Sequence, residues 1–321
     1  MNEAIKHSEI EVNGVRLHLA EQGEGPLVLL LHGFPESWYS WRHQFTPLAA
    51  AGYRVVAPDQ RGYARSAQPA AVDAYTLLHL VGDATALIGA LGAERAVVVG
   101  HDWGAPVAWA TAALRPDLVR GVAGLSVPPL PLGGPPPLPA ARENWGEGFY
   151  QIYFQEPGRA DAELAADVRT SLRRILCGIQ PDGRPRPWIV PEGKKLLDTV
   201  PEPERLPAWL TEADLDAFEA DYATHGERAF TGGLNWYRNL DRNAELLAAF
   251  NGVTVDVPAL YIAGEQDLVN AMVPPEALAY LLGRLPRLHR HLRLPDTGHW
   301  TQQERPAEVN EALLDFLKSL D

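Results

Sequence analysis

The sequence predicts an α/β fold, a mostly parallel sheet with helices on both faces and one inserted helical segment. Three observations carry this. Short apolar runs, each closed by glycine or proline, recur early and late in the chain. Helical stretches separate them. Between about residue 140 and residue 247 the strand runs stop and only helical patterns remain. Strands that alternate with helices are covered on both faces, so each reads as a continuous apolar run.

The elements follow in chain order. Residues 9–20 alternate around Asn13-Gly14, the strongest short hairpin signal, and predict two antiparallel strands at a sheet edge. Residues 27–31 form an apolar run ended by His32-Gly33, and residues 54–57 repeat the pattern before Pro58-Asp59. A helix is expected over residues 76–91, then a third buried strand over 96–99, ended by Gly100. Residues 128–139 are crowded with proline and glycine and read as a linker. Helical patterns follow over 161–176 and 212–222. Strand signals resume near Val253 and give two more strands over 259–263 and 291–294. The expected organisation is core residues 1–138, a helical lid over 139–247, and a second core part over 248–321.

Composition bounds the function. With 321 residues the chain is long enough for one sizeable core plus an insertion. A formal charge of −13 disfavours a phosphate backbone as partner, so nucleic acid is not expected. The single cysteine, Cys177, forms no intrachain disulfide and no thiolate cluster, and reads as a small apolar residue in a reducing compartment. The charged residues 1–12 lack the apolar core of a secretory signal, and the run at residues 26–31 is too short to span a bilayer. The expectation is a cytoplasmic protein without membrane insertion. Its alanine, arginine and proline content points to a GC-rich bacterial source.

The sharpest chemical signal is Val97-Val98-Val99-Gly100-His101-Asp102-Trp103-Gly104-Ala105. A buried strand enters Gly-x-Asp-x-Gly and a helix begins near Pro106. This is a nucleophile elbow with aspartate where serine is usual. A Cβ at either glycine would strike the neighbouring strand or helix. On its own the pattern could be an ordinary strand–turn–helix. Three further features weigh against that. His32-Gly33-Phe34-Pro35 follows the first buried strand, where one backbone N–H of an oxyanion hole is expected; Phe34 and Trp103 would be the donors. Asp267 stands just past the strand at 259–263, and His299 follows the last strand in Asp296-Thr297-Gly298-His299-Trp300. Either alone could be a solvated loop residue, and Asp59 and Asp296 are rival carboxylates that read as structural. Taken together, nucleophile, acid and histidine stand in hydrolase order at strand carboxyl ends.

An aspartate nucleophile narrows the chemistry. Serine attacks acyl carbons, whereas a carboxylate displaces a leaving group from a saturated carbon and becomes an alkyl ester. The electrophile is then an epoxide or an alkyl halide. Halide needs N–H donors around an anion; an epoxide oxygen needs a proton donor, and a phenol is suitable.

The chain resembles the soluble epoxide hydrolases of the α/β-hydrolase fold, including the hydrolase domain of the mammalian soluble enzyme. The resemblance runs through most of the chain. It covers His32-Gly33-Phe34-Pro35-Glu36-Ser37-Trp38, Gly100-His101-Asp102-Trp103-Gly104 and Gly298-His299-Trp300-Thr301-Gln302. Within the insertion it covers Tyr150-Gln151-Ile152-Tyr153-Phe154-Gln155-Glu156-Pro157-Gly158 and Leu234-Asn235-Trp236-Tyr237-Arg238-Asn239. It implies that two lid tyrosines, Tyr150 and Tyr237, hold the epoxide oxygen. Tyr153 is the rival to Tyr150, since three-residue spacing on a helix does not choose between them; the resemblance favours Tyr150. Aromatic packing is the plainer reading of all three. Trp236, Trp300 and Tyr153 are candidate substrate-binding walls, although each could be core. Ala64 stands where the family often has glycine, and residues 133–141 and 176–207 match nothing that can be aligned.

The expected activity is hydrolysis of a small-molecule epoxide to a vicinal diol, with Asp102, His299, Asp267, Tyr150 and Tyr237 as the catalytic set and no cofactor or metal. The only protein partner expected is a second copy in a homodimer. Haloalkane or haloacid dehalogenation is the alternative; it uses the same triad but leaves both tyrosines idle. A binding protein that kept the fold without catalysis is a third reading, disfavoured by the complete triad.

Overall fold

A computed structural model describes residues 4–178, 187–200 and 202–320. The hairpin forms as expected. Strand β1 (Lys6–Val12) pairs antiparallel with β2 (Val15–Gln22), and Asn13 and Gly14 both turn through positive φ, 49° and 74°. The remaining strands are β3 (Leu27–Leu31), β4 (Arg54–Pro58), β5 (Ala96–His101), β6 (Val119–Leu125) and β7 (Ala259–Gly264), all largely buried, and β8 (Leu288–Leu294), an edge strand of which only Leu294 is buried. They form one eight-stranded sheet in the order β1-β2-β4-β3-β5-β6-β7-β8, parallel from β4 to β8.

The continuous apolar runs follow from this arrangement. In β3, Leu29 and Leu31 enter one core cluster, while Val28 and Leu30 enter the other. In β7, Tyr261 takes the first side and Leu260 and Ile262 the second. Helices α1 (Arg42–Ala50), α2 (Leu77–Ala90) and α3 (Gly104–Leu114) connect the early strands. Phe45 and Leu48 of α1 cover one face; Leu80 and Leu87 of α2 and Val107 of α3 cover the other. A fully buried leucine or phenylalanine contributes about 1.5–3 kcal/mol, so both faces together carry most of the driving force.

Strand β6 was not legible in the sequence. Its run Val-Arg-Gly-Val-Ala-Gly-Leu is diluted by two glycines. The reason is packing: a Cβ on Gly124 would lie 2.2 Å from the Trp109 indole. The reading of strand near Val253 also needs correction, because regular pairing starts only at Ala259, after Pro258.

Between β6 and β7 the described residues carry helices: α4 (Pro137–Trp145), α5 (Tyr150–Tyr153), α6 (Arg159–Ala165), α7 (Val168–Cys177), α8 (Leu196–Thr199), α9 (Glu212–Tyr222), α10 (Thr231–Arg238) and α11 (Leu240–Leu246). The helical pattern at 161–176 is two helices, because Asp167 breaks out to extended backbone and caps α7 through Thr170 N–H at 2.9 Å. Part of the unalignable stretch 176–207 lies outside the described residues. After β7 come α12 (Val269–Met272), α13 (Pro275–Leu282), α14 (Thr301–Glu304) and α15 (Pro306–Lys318). Phe316 and Leu313 of α15 pack beside α1 on the second face.

Polar pins hold the insertion to the sheet. Ser37 Oγ donates to Asp221 at 2.8 Å, Tyr222 OH to Glu36 O at 3.1 Å, and the Trp236 indole to Arg61 O at 3.1 Å. Arg42 pairs with Asp214 at 2.9 Å. Asp59, one of the rival carboxylates, is a buried hub that accepts from Trp38 N–H and faces His18 Nδ1 at 2.7 Å.

Candidate active site

The elbow between β5 and α3 works by close approach. A Cβ at Gly100 would lie 2.0 Å from Gly104 O, and one at Gly104 would lie 2.0 Å from Leu31 O. Asp102 itself sits at φ 49°, a left-handed conformation that costs a non-glycine residue about 1–3 kcal/mol. It lifts the carboxylate to the carboxyl end of the sheet. Asp102 Oδ1 accepts Phe34 N–H at 2.7 Å. Trp103, the other expected donor, is the N-cap of α3, beside the carboxylate. Asp102 Oδ2 lies 3.2 Å from His299 Nε2, and His299 Nδ1 lies 2.9 Å from Asp267 Oδ1. Asp267 also accepts Val269 N–H at 2.9 Å, which fixes its rotamer. Thus Asp102, His299 and Asp267, 197 and 32 residues apart in sequence, form one hydrogen-bonded line.

Charge follows geometry. Burial alone would make His299 less basic, but the carboxylates of Asp267 and Asp102 outweigh it and raise its pKa well above the ordinary value. Burial likewise opposes ionisation of Asp102, yet the His299 hydrogen bond and charge, with Phe34 N–H, hold its pKa below the usual carboxylate value. The resting pair is therefore a carboxylate beside an imidazolium.

The insertion brings two phenols over the carboxylate. Tyr150 on α5 and Tyr237 on α10 have ring centres 6.0 Å apart. Tyr237 stands edge-on to Trp103 at 5.1 Å and to Phe34 at 5.6 Å. Gln155 Nε2 donates to Gln151 O at 2.7 Å and to Tyr237 O at 3.0 Å, tying the two helices together. Burial pushes both phenols to higher pKa, and the nearby Asp102 charge adds to it, so both stay protonated at neutral pH.

Two expectations about this region are corrected. Tyr153 does not face the cavity: its OH donates to Glu163 at 2.5 Å and Arg159 lies over its ring. The choice between Tyr150 and Tyr153 is made by what Glu163 captures, which spacing could not reveal. Trp236 is also not a wall. It is fully buried behind Trp103, with its indole N–H committed to Arg61 O. Trp300 does line the cavity, anchored by its indole N–H on Leu176 O at 2.8 Å.

The cavity measures about 670 Å³ and contains Asp102, His299, Tyr150 and Tyr237. Among the described residues that line it, only Asp102 and His299 carry charge. The segment 128–139, read as a plain linker, supplies several wall residues, among them Leu130 and Leu132. Sequence reasoning missed the layer beneath. Glu36 is fully buried and accepts from His101 Nδ1 at 2.7 Å, Gln302 at 3.0 Å and Gln303 at 3.0 Å. His101 Nε2 in turn donates to His299 O at 2.8 Å. The only signal for this layer was a carboxylate inside an otherwise apolar loop.

Comparison with known proteins agrees with this geometry. A family model described as alpha/beta hydrolase fold matches residues 26–306. The chain is 47% identical to epoxide hydrolase A of Mycobacterium tuberculosis, over 97% of each chain. It is 37% identical to bifunctional epoxide hydrolase 2 of Sus scrofa, covering 98% of this chain and 56% of that one. Among solved structures, epoxide hydrolase A from Mycobacterium thermoresistibile superposes with a TM-score of 0.91 at 48% identity over 99% of each chain. An epoxide hydrolase from an endophytic Streptomyces gives a TM-score of 0.93 at 48% identity, over 99% of this chain and 96% of that one.

Proposed function

The chain belongs to the epoxide hydrolases of the α/β-hydrolase fold, and from that membership we propose a two-step conversion of an epoxide and water to a vicinal diol, with Asp102 as nucleophile. One observation carries the reading: an ionised carboxylate stands at the elbow in the same apolar cavity as two protonated phenols.

In the first step Asp102 Oδ2 attacks a ring carbon from the side opposite the C–O bond. That bond breaks, and the electron pair stays on oxygen. Tyr150 and Tyr237 hydrogen-bond this oxygen and supply the proton that makes it an alcohol. The product is a β-hydroxyalkyl ester of Asp102. Loss of the Asp102 charge removes one of the two carboxylates that hold His299 protonated, so the imidazolium returns its proton, through solvent, to the phenolate left by ring opening, and the neutral imidazole becomes a competent base. In the second step His299, oriented by Asp267, takes a proton from water, and the hydroxide attacks Cγ of Asp102. Oδ1 becomes the oxyanion and already accepts Phe34 N–H at 2.7 Å, with Trp103 N–H as the second donor. Collapse expels the diol oxygen, which takes the proton from His299, and the acid left on Asp102 gives its own proton to His299, restoring the carboxylate and the imidazolium.

The substrate that suits this cavity is neutral and largely hydrocarbon, because a charged substituent would meet no counter-charge among the described lining residues other than Asp102 and His299 themselves. Residues 139–247 act as the lid that supplies the phenols. No helix among the described residues is long and apolar enough to cross a membrane. Cytoplasmic residence is part of the proposal, supported by the acidic composition and the single cysteine. The halide reading finds no support in the site, where both phenols would be idle.

The test is a single turnover with racemic styrene oxide in oxygen-18 water, followed by mass analysis of the peptide that contains Asp102. Diol formation with label entering the Asp102 carboxylate is expected. Diol without that label would mean direct attack by water and would overturn the assignment of Asp102.

A further inference from the structure

The ester mechanism asks for two separable geometries. Ring opening depends on Asp102 and the two phenols. Ester hydrolysis depends on where the His299 ring points. Asp267 holds Nδ1, but once Asp102 is an ester this one hydrogen bond does not fix a ring whose backbone can tilt. That backbone lies in the turn between β8 and α14, where no sheet ladder constrains it.

The structure shows what does. Glu304, the last residue of α14, folds back over the turn. Its Oε2 accepts Gly298 N–H at 2.7 Å, and its Oε1 accepts Trp300 N–H at 2.9 Å. These are the backbone N–H groups of the two residues on either side of His299. The carbonyl of His299 is fixed separately, by His101 Nε2 at 2.8 Å and Ser126 Oγ at 2.7 Å. The backbone before and after the base is thus held by one carboxylate that uses both oxygens.

We infer that Glu304 is a positioning residue for ester hydrolysis: it sets the direction of His299 through the N–H groups of its two neighbours, Gly298 and Trp300, and takes no part in ring opening. A tilt of about 10° at the His299 Cα would carry Nε2 by roughly 1 Å, a displacement that costs on the order of a hundredfold in rate. Glutamine cannot reproduce the grip. Its amide oxygen still accepts one N–H, but its NH₂ group then faces the other donor. The elbow and the helices that bear Tyr150 and Tyr237 make no hydrogen bond to Glu304 among the described contacts, so ring opening has no reason to change.

The inference rests on the two-step reading, and the experiment separates the two. Glu304→Gln and wild type are mixed with styrene oxide in a quenched-flow instrument. Intact-protein mass gives the ester, product analysis gives the diol, and thermal melting checks the fold. The expected result is ring opening within about twofold of wild type, hydrolysis slowed about tenfold or more, and enzyme resting mostly as the ester. Glu304→Asp keeps the charge but is too short to span both peptides; it is expected to show the same split in milder form, and it decides the matter if the glutamine variant does not fold. Equal slowing of both phases, or normal hydrolysis in a folded variant, would overturn the role of Glu304. Absence of any ester on wild-type Asp102 would instead sink the two-step mechanism itself.

Discussion

Gly33→Ala tests how tightly the loop after β3 is built around the nucleophile. The backbone of Gly33 is not in the left-handed region, so alanine is conformationally allowed there. Space is the only objection. A Cβ on Gly33 would lie 2.3 Å from Asp102 Cβ, 2.3 Å from its Oδ1 and 2.7 Å from its Cγ. Unbonded carbons rest at about 3.5–4.0 Å, so one partner must move by roughly 1 Å. Gly33 is not free to yield, since its N–H is held by Glu36 Oε2 at 3.1 Å and its carbonyl receives Glu36 N–H at 3.0 Å. The shift therefore falls on Asp102, and Oδ1 loses the 2.7 Å bond from Phe34 N–H. A misplacement of that size costs about a hundredfold in kcat/KM, and the overpacking about 1–3 kcal/mol in stability. Initial rates on styrene oxide and a melting curve measure both. Gly89→Ala, in α2 with nothing within 4 Å of its Cβ, is the control; it should melt higher by about 0.5–1 kcal/mol with unchanged turnover. Wild-type rates in a well-folded Gly33→Ala variant would refute the argument.

Other outcomes follow from the same contacts. Tyr150→Phe and Tyr237→Phe should each slow ring opening by about tenfold to a hundredfold, the worth of a hydrogen bond to developing charge, whereas Tyr153→Phe should leave it unchanged because that phenol bonds Glu163; stopped-flow ester formation distinguishes them. The pH dependences of the two steps should part. Ring opening needs ionised Asp102, whose pKa is lowered, and neutral tyrosines, whose pKa values are raised, so it stays flat from about pH 5 to about pH 10. Hydrolysis needs neutral His299, which in the ester only Asp267 still draws toward its charged form, so it accelerates with rising pH and the ester accumulates in acid; an ester fraction that grows with pH would contradict this. Asp83→Ala removes both carboxylate oxygens that accept from Arg61, at 2.7 and 2.6 Å, and leaves a buried guanidinium with only the carbonyls of Ala74 and Asn13 and no counter-charge from Asp83. The cost is about 3–5 kcal/mol, seen as a melting point lower by roughly 5–10 °C.

The sequence revealed most where chemistry and burial coincide. The strands at 27–31 and 259–263 were legible because both their faces are covered, and the elbow because only glycines fit around it. Strand β6 was hidden, since its glycines serve a tryptophan from α3 and depress the apolar signal that marks its neighbours. The same limit explains Trp236 and Tyr153. Both are aromatic and both lie in the insertion, but their hydrogen bonds to Arg61 O and Glu163 turn them away from the cavity, and neither partner is near in sequence. The proline-rich stretch was read for its backbone, while its leucines became cavity wall. Glu36 and Glu304 escaped because a carboxylate that serves backbone N–H groups leaves no spacing pattern.

The place of β6 in the sheet bears on how the protein is made. One edge of β6 pairs with β5, but the other waits for β7, and residues 126–258 come between them. At about 5–20 residues per second, a growing chain carries that unpaired edge for roughly 7–27 s. During that interval an apolar strand with open backbone donors and acceptors is a template for another nascent chain. Asp267 and His299 emerge later still. Cellular yield should therefore depend on translation speed and on chaperones that shield the early residues, even for variants whose finished fold is as stable as the parent.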